Sequence, residues 1–273
     1  MQEDKFPKYI GMPDNRLAFY SKTIENWLKD KKATILIIGG GEADYKVFRS
    51  LGFENVVISN LDSRLKGDEF SPYQWNFQKA EELSYDDAQF DYVVVHAALH
   101  HCESPHKALL EMYRVAKIGL IAFESRDSLL MKLLVWMNVT SDYEQLSVYY
   151  ADCKFGGINN TDIPNYVYRW TEREVEKTIS TYAPYARHIF QYQYGSDVPA
   201  GVAFEKKNQV KKIIISAIKP LYSLFVMLFP RQQNLFAFSV SKPSIPDDLH
   251  DWLKADGESI KFNEEWAKEI YKV

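Results

Sequence analysis

The sequence predicts an α/β fold in which helices cover both faces of a parallel sheet. Short β-rich apolar runs alternate along the chain with segments of helical period, which is typical of βαβ units. The first run, TILII at 34–38, is almost wholly apolar, as expected of a strand buried on both faces. It leads directly into three consecutive glycines, which indicate a sharp turn before the next helix.

The remaining elements follow from local patterns. Further strands are predicted at 56–59, 91–96, 120–124, 187–194 and 234–240, with a weaker one near 75–78, because each is a short apolar or alternating run. Helices are predicted at 15–30, 43–50, 105–116, 128–137, 171–182 and 258–271. Thr171 and Glu174 have the spacing of a capping box and therefore mark a helix start.

The composition excludes several classes of protein. Lys and Arg number 33 against 37 Asp and Glu, a net charge of −4, so we expect no nucleic-acid partner held by broad electrostatics. Two cysteines, Cys102 and Cys153, are too few for a disulfide scaffold or a four-ligand zinc site. Because no secretory signal is visible either, we expect a reducing compartment, the cytoplasm.

We expect a single domain over residues 1–273 with three additions. These are an aromatic-rich insertion at 126–170, an apolar helical insertion at 206–230 and a helical tail at 244–273. The most apolar stretch, 213–229, is interrupted by Lys219 and Pro220, and it is shorter than the roughly 20 apolar residues of a bilayer span. It is therefore expected to be a helix packed on the protein, with contact to a membrane surface as the less favoured alternative.

The glycine turn is the first candidate ligand site. Gly39, Gly40 and Gly41 would let a ligand approach the main chain, and the N–H groups of the next helix start would face it. Asp62 follows Gly41 by 21 residues, at the end of the second strand, where a carboxylate can accept both hydroxyls of a ribose. The alternative is a tight turn that binds nothing.

Residues 80–101 carry the second pattern, AEELSYDDAQFDYVVVHAALHH. The Ala80-Glu81 pair, the Asp-x-x-Phe-Asp run at 87–91, the strand and the Leu-His-His ending at 99–101 resemble the class I S-adenosylmethionine-dependent methyltransferases of small-molecule type. The likeness covers about residues 33–125. It implies a Rossmann-like, doubly wound sheet of seven strands, mostly parallel with the last strand antiparallel, and S-adenosylmethionine as cofactor.

The resemblance also implies the roles of individual residues toward that cofactor. Asp62 would hold the ribose, and Ala80 and Glu81 would flank the adenine. The glycines at 39–41 and His96 would wrap the methionine end.

The acceptor side is expected where the fourth and fifth strands end. An alcohol acceptor needs a base, and His is the usual one near neutral pH. The candidate catalytic residues are His101 as base, Glu124 as its orienting partner, and His96. The candidate acceptor-binding residues are His100, Arg126, Tyr149, Tyr150 and Arg169. The alternatives are that the histidines only pack and cap the next helix, and that the aromatic-rich insertion is a packed subdomain instead of a substrate lid.

The sequence thus predicts methyl transfer, to oxygen, on a small-molecule or carbohydrate-like acceptor, with no metal. The alternative is a non-catalytic binding or scaffold protein of the same fold. Two departures from the family pattern favour that alternative: Ile37, where the family usually carries an acid, and Ala43, where it has its last glycine. A nicotinamide-dependent oxidoreductase is less favoured, because position 44 is Asp where its third glycine would lie.

Overall fold

The computed structural model describes residues 6–7, 12–197, 220–257 and 259–272. A seven-stranded sheet has the order β3-β2-β1-β4-β5-β7-β6. Strands β1 to β5 are parallel, and β7 pairs antiparallel with both β5 and β6. The strands are β1 Thr34–Ile38, β2 Asn55–Asn60, β3 Gln74–Phe77, β4 Phe90–His96, β5 Ala116–Ser125, β6 Ile189–Gly195 and β7 Leu235–Ser241. The doubly wound, mostly parallel sheet predicted from the sequence is confirmed.

Helices lie on both faces of this sheet, as the alternation of patterns predicts. They are α1 Asp14–Trp27, α2 Glu42–Ser50, α3 Pro105–Val115, α4 Leu129–Trp136, α5 Gln145–Tyr150, α6 Glu172–Tyr182, the helical residues 220–228, here called α7, and α8 Glu264–Tyr271. The capping box of α6 is present, since Thr171 Oγ1 accepts from Glu174 N and Glu174 Oε2 accepts from Thr171 N.

The continuous apolar run of β1 has a simple physical cause. Successive side chains of a strand point to opposite faces. Leu36 and Ile38 therefore enter the core between the sheet and α3, while Ile35 and Ile37 enter the core between the sheet and α1 and α2. A central strand with helices on both sides has no face that can be polar.

The C-terminal helix begins later than predicted. Residues Leu253–Asp256 and Ser259–Phe262 form an antiparallel hairpin, β8 and β9, and only then does α8 start. Asp256 pairs with Ser259, so the tight two-residue turn begins at Gly257, whose φ of +61° is one that glycine adopts readily. The prediction that the helix begins at residue 258 is therefore wrong, and the tail at 244–273 contains this hairpin as well as the helix.

The long apolar stretch is also different from the prediction. Residues 213–219, like the rest of 198–219, lie outside the described residues, but α7 covers the remainder. Along α7 only Val226 is buried, whereas Leu221, Leu224 and Leu228 are exposed. The predicted helix is present over this part, but most of its apolar side chains face solvent instead of packing on the protein. Among the residues that the structure describes, no helix is long and apolar enough to cross a bilayer.

Candidate active site

The three glycines after β1 have different physical roles. A Cβ on Gly39 would lie 2.4 Å from Ala98 Cβ, and Gly39 has a φ of +61°, so this glycine lets the turns after β1 and β4 touch. A Cβ on Gly40 would lie 2.7 Å from Ile58. A Cβ on Gly41 would meet nothing within 4 Å. Gly41 is therefore the glycine that borders open space, as a main chain approached by a cofactor requires.

Asp44 accepts a hydrogen bond from the main chain at the start of α2. Gly41 N donates to Asp44 Oδ2 at 2.9 Å, and Tyr20 Oη donates to Asp44 Oδ1 at 2.7 Å. Burial raises the pKa of Asp44 to about 6, even though both hydrogen bonds favour the carboxylate. The sequence did not indicate this contact, because Tyr20 comes from α1 and no local pattern joins the two residues.

Asp62 lies at the end of β2, as predicted, and is fully buried. Its carboxylate accepts from Arg64, with Nε at 2.9 Å from Oδ1 and Nη2 at 2.8 Å from Oδ2. The Arg64 guanidinium in turn lies 4.2 Å from the ring centroid of Phe155, in the insertion. A ribose at Asp62 would therefore have to share the carboxylate with Arg64 or displace it.

Glu81 and Ala80 lie between β3 and β4. Glu81 is buried, and its Oε1 accepts from Ser104 N, the N-cap residue of α3, at 2.8 Å. Its Oε2 lies 3.8 Å from Lys79 Nζ and makes no hydrogen bond to the described residues. Ala80 packs against the core on the α3 side of the sheet. Glu81 thus fixes the start of α3 and keeps one acceptor oxygen available.

A pair of histidines and two glutamates form the polar centre of the site. Glu124 Oε2 lies 2.6 Å from His100 Nδ1, and Glu124 Oε1 accepts from the N–H groups of Ala98 and Leu99. Glu144 Oε2 lies 3.3 Å from His100 Nε2. Burial alone would lower the pKa of His100, but the two carboxylates outweigh it and raise this pKa to about 10. His100 is therefore an imidazolium at neutral pH, and it is His100 that Glu124 orients, not His101 as predicted.

His101 has separate partners. Its Nδ1 faces Gly157 O at 3.3 Å and its Nε2 lies 3.4 Å from Glu144 Oε2. Burial and the neighbouring charge of His100 lower the pKa of His101, although Glu144 acts in the opposite direction. His101 is therefore neutral at neutral pH. The sequence missed Glu144, which the insertion brings to the histidines from far along the chain.

The same cluster has donor atoms that could hold a metal ion. The donors of His100, His101 and Glu144 all lie within 4.8 Å of one another. The pKa of Glu144 is held at about 2, because its contacts with the histidines outweigh the effect of burial. The proton on His100 places one positive charge between the carboxylates of Glu124 and Glu144.

Two other predicted site residues are engaged inside the protein. His96 stacks on Tyr20 with ring centroids 4.5 Å apart, and burial, with the charges of Arg16 and His100, lowers its pKa to about 3. Arg126 is buried, and its Nη2 lies 2.8 Å from Glu172 Oε2. These contacts give His96 a packing role and give Arg126 an internal ion pair.

The aromatic-rich insertion is partly core and partly surface. Trp170 is fully buried in the main core, whereas Tyr149 is 65% exposed and Tyr150 is also exposed. Arg169 is half-buried, forms an ion pair with Asp142 and lines a cleft of about 380 Å³ beside α4. Of the four predicted acceptor-binding residues in the insertion at 126–170, only Arg169 borders this cleft.

Comparisons with known proteins agree with this architecture. Residues 51–123 match the family model of a methyltransferase domain. The YcgJ protein from Bacillus subtilis is 16% identical with a TM-score of 0.50, over 84% of this chain and 98% of that one. The PH0226 protein from Pyrococcus horikoshii is 14% identical with a TM-score of 0.50, over 88% and 96%. These two likenesses show the fold. No curated protein matches the sequence.

Three observations define a class I methyltransferase fold. They are the order of the strands, the glycine turn with open space beside Gly41, and the matched domain. The chain therefore contains a methyltransferase domain, and its fold is the one that the resemblance to S-adenosylmethionine-dependent methyltransferases implies. The resemblance drawn from residues 80–101 is thereby confirmed, and so are the class of enzyme and the cofactor.

Proposed function

We propose that the enzyme methylates a hydroxyl oxygen of a small-molecule or carbohydrate-like acceptor. The observation that carries this proposal is the neutral His101 beside Glu144, at the edge where β4 and β5 end. An alcohol is a poor nucleophile until its proton is removed, and a positioned imidazole can remove it. An amine with a free electron pair has less need of such a base.

Each of the four polar side chains of the site has its own proposed role in the reaction. His101 would take the acceptor's proton, and Glu144, 3.4 Å away, would stabilise the imidazolium that forms. Glu124 and His100 would act as positioning residues, because Glu124 fixes both the ring of His100 and the main chain at 98–99. Glu144 thus replaces Glu124 as the partner of the base.

The cofactor's residues are proposed on the geometry of the glycine turn. S-adenosylmethionine, when bound, supplies an electrophilic methyl group on sulfur. The main chain at Gly41 would lie against its methionine end, since that glycine faces open space. Asp62 would bind the ribose, and Ala80 with Glu81 would border the adenine.

The proposal is tested by the pH dependence of methyl transfer from labelled S-adenosylmethionine to a panel of phenols and sugars, with the matching amines as controls. Because His101 must be unprotonated, kcat/KM for a hydroxyl acceptor should rise with pH and level off at a pKa below 6.5. Glu144→Gln removes a charge that raises the pKa of His101, so the rise should move to lower pH. Transfer to amines alone would contradict the proposal.

The role of Asp62 predicts a loss of cofactor affinity. Asp62→Ala should weaken binding of S-adenosylhomocysteine by about 2–3 kcal/mol, which corresponds to a pair of charge-assisted hydrogen bonds. Titration calorimetry measures the change, and Arg64→Ala serves as the control because it keeps the carboxylate. Equal affinities of Asp62→Ala and the unaltered protein would show that the ribose is bound elsewhere.

A further inference from the structure

Helix α7 presents its apolar stripe outward. Leu221, Leu224, Phe225 and Leu228 recur at the spacing of one helical face, yet each is between 41% and 69% exposed. Phe229 continues the stripe, with its ring centroid 5.0 Å from that of Phe225. A surface helix of a globular protein normally turns such a stripe toward the core, so this arrangement requires a different explanation.

Helix α4 has the same property. Leu129, Leu133 and Trp136 lie on one helical face and are 76%, 47% and 79% exposed. Only Met131 of this helix is buried. The sequence LLMKLLVW therefore places large apolar side chains on the surface of the protein, where they have no core to join.

The two helices are tied together by the turn that follows α7. Leu130 N donates to Gln232 Oε1 at 3.1 Å, and Gln233 Nε2 donates to Val226 O at 3.2 Å. The exposed apolar side chains of both helices thus belong to one region, called the apolar platform. Its members are Leu129, Leu133, Trp136, Met137, Leu221, Leu224, Phe225, Met227, Leu228 and Phe229. Large exposed apolar patches mark sites of interaction.

The sequence around α7 is rich in basic residues and contains no acidic ones from 206 to 246. Lys132 and Arg231 project from its two helical segments and are 65% and 75% exposed, although Asp127 and Glu172 lie within 4.0 Å of them. In the sequence no acidic residue occurs between Glu205 and Asp247, whereas five lysines precede α7 at 206, 207, 211, 212 and 219. An apolar helical face next to Lys and Arg is the composition of helices that lie in the interface of anionic bilayers.

We propose that the apolar platform docks this enzyme on an anionic lipid bilayer, with α4 and α7 in the plane of the surface. Leu, Phe, Met and Trp side chains would enter the boundary between headgroups and acyl chains, and Lys132 and Arg231 would face the headgroups. Docking is independent of the proposed acceptor. This proposal differs from the sequence-based expectation for residues 213–229, in which contact with a membrane surface was the less favoured alternative.

Flotation of the full chain with vesicles tests the proposal. We expect the protein to float with vesicles that contain phosphatidylglycerol, and less with phosphatidylcholine alone. High salt should reduce binding without abolishing it, because salt screens the charges and leaves the apolar contact. Leu224→Glu and Trp136→Glu should each lower the partition coefficient at least about tenfold, which corresponds to 1.4 kcal/mol. Ile270→Glu, on the exposed side of α8, is the matched control and should bind normally.

Two further results distinguish docking from other uses of the platform. Brominated lipid should quench tryptophan fluorescence, and Trp136→Phe should remove most of that quenching. Failure to float, or flotation that the two glutamate variants do not change, would overturn the proposal. A concentration-dependent dimer that the same variants dissociate, without vesicle binding, would assign the platform to a second copy of the chain instead.

Discussion

Replacement of His101 by alanine is expected to lower turnover by about 10²–10⁴, the usual contribution of a general base. Affinity for S-adenosylhomocysteine should stay unchanged, because the proposed base touches the acceptor and not the cofactor. The two measurements together separate chemistry from folding. Glu144→Gln should give a smaller loss, since it leaves the imidazole in place and removes only the carboxylate 3.4 Å from it.

The control for His101→Ala is His250→Ala. His250 stacks on Trp252, with ring centroids 4.3 Å apart, and has no place in the proposed site. It should retain full turnover. Full turnover in His101→Ala would instead reduce His101 to a packing residue, and a mechanism of positioning alone would become the better account.

Gly41→Val is expected to abolish cofactor binding and to leave the protein folded. The backbone at Gly41 has a φ of −139°, which valine adopts readily, and its Cβ would meet no protein atom within 4 Å. The branched side chain would therefore occupy the space proposed for the methionine end of the cofactor.

Thermal unfolding with and without S-adenosylhomocysteine measures this effect. Ligand at 100 times its dissociation constant should add about 2.7 kcal/mol of stability to the unaltered protein and none to Gly41→Val. Gly39→Ala provides the contrast: it should destabilise the protein itself, because its Cβ would lie 2.4 Å from Ala98 Cβ at a φ that favours glycine. Normal ligand stabilisation of Gly41→Val would place the cofactor elsewhere.

Most of the sheet could be predicted because its determinants are local. The apolar run of β1, the alternating run of β6 and the capping box before α6 are patterns within a few residues, and each element forms where its pattern lies. The hairpin β8–β9 was missed although its signal is local too. Gly257 lies between two short runs of alternating residues, and a glycine at the first position of a two-residue turn favours a hairpin over a helix start.

The glycine turn was recognised from the sequence, but the distinct roles of its glycines were not. Gly39 and Gly41 are chemically identical in the sequence. Only the approach of Ala98, from the turn after β4, shows that Gly39 serves packing and that Gly41 borders open space.

By itself, the sequence determined the α/β sheet and the glycine turn, because periodicity and turn signals depend on neighbouring residues. The class of enzyme followed from the resemblance of residues 80–101 to a known family. The tertiary structure alone decided that Glu124 binds His100, that Glu144 joins His101, and that α4 and α7 keep their apolar faces in solvent. These contacts join residues from separate elements, and an amphipathic pattern is the same whether its face is buried or exposed. Folding brings Glu124 and Glu144 to His100, and these carboxylates keep its imidazole protonated. Burial and the charge of His100 lower the pKa of His101, whose imidazole is neutral.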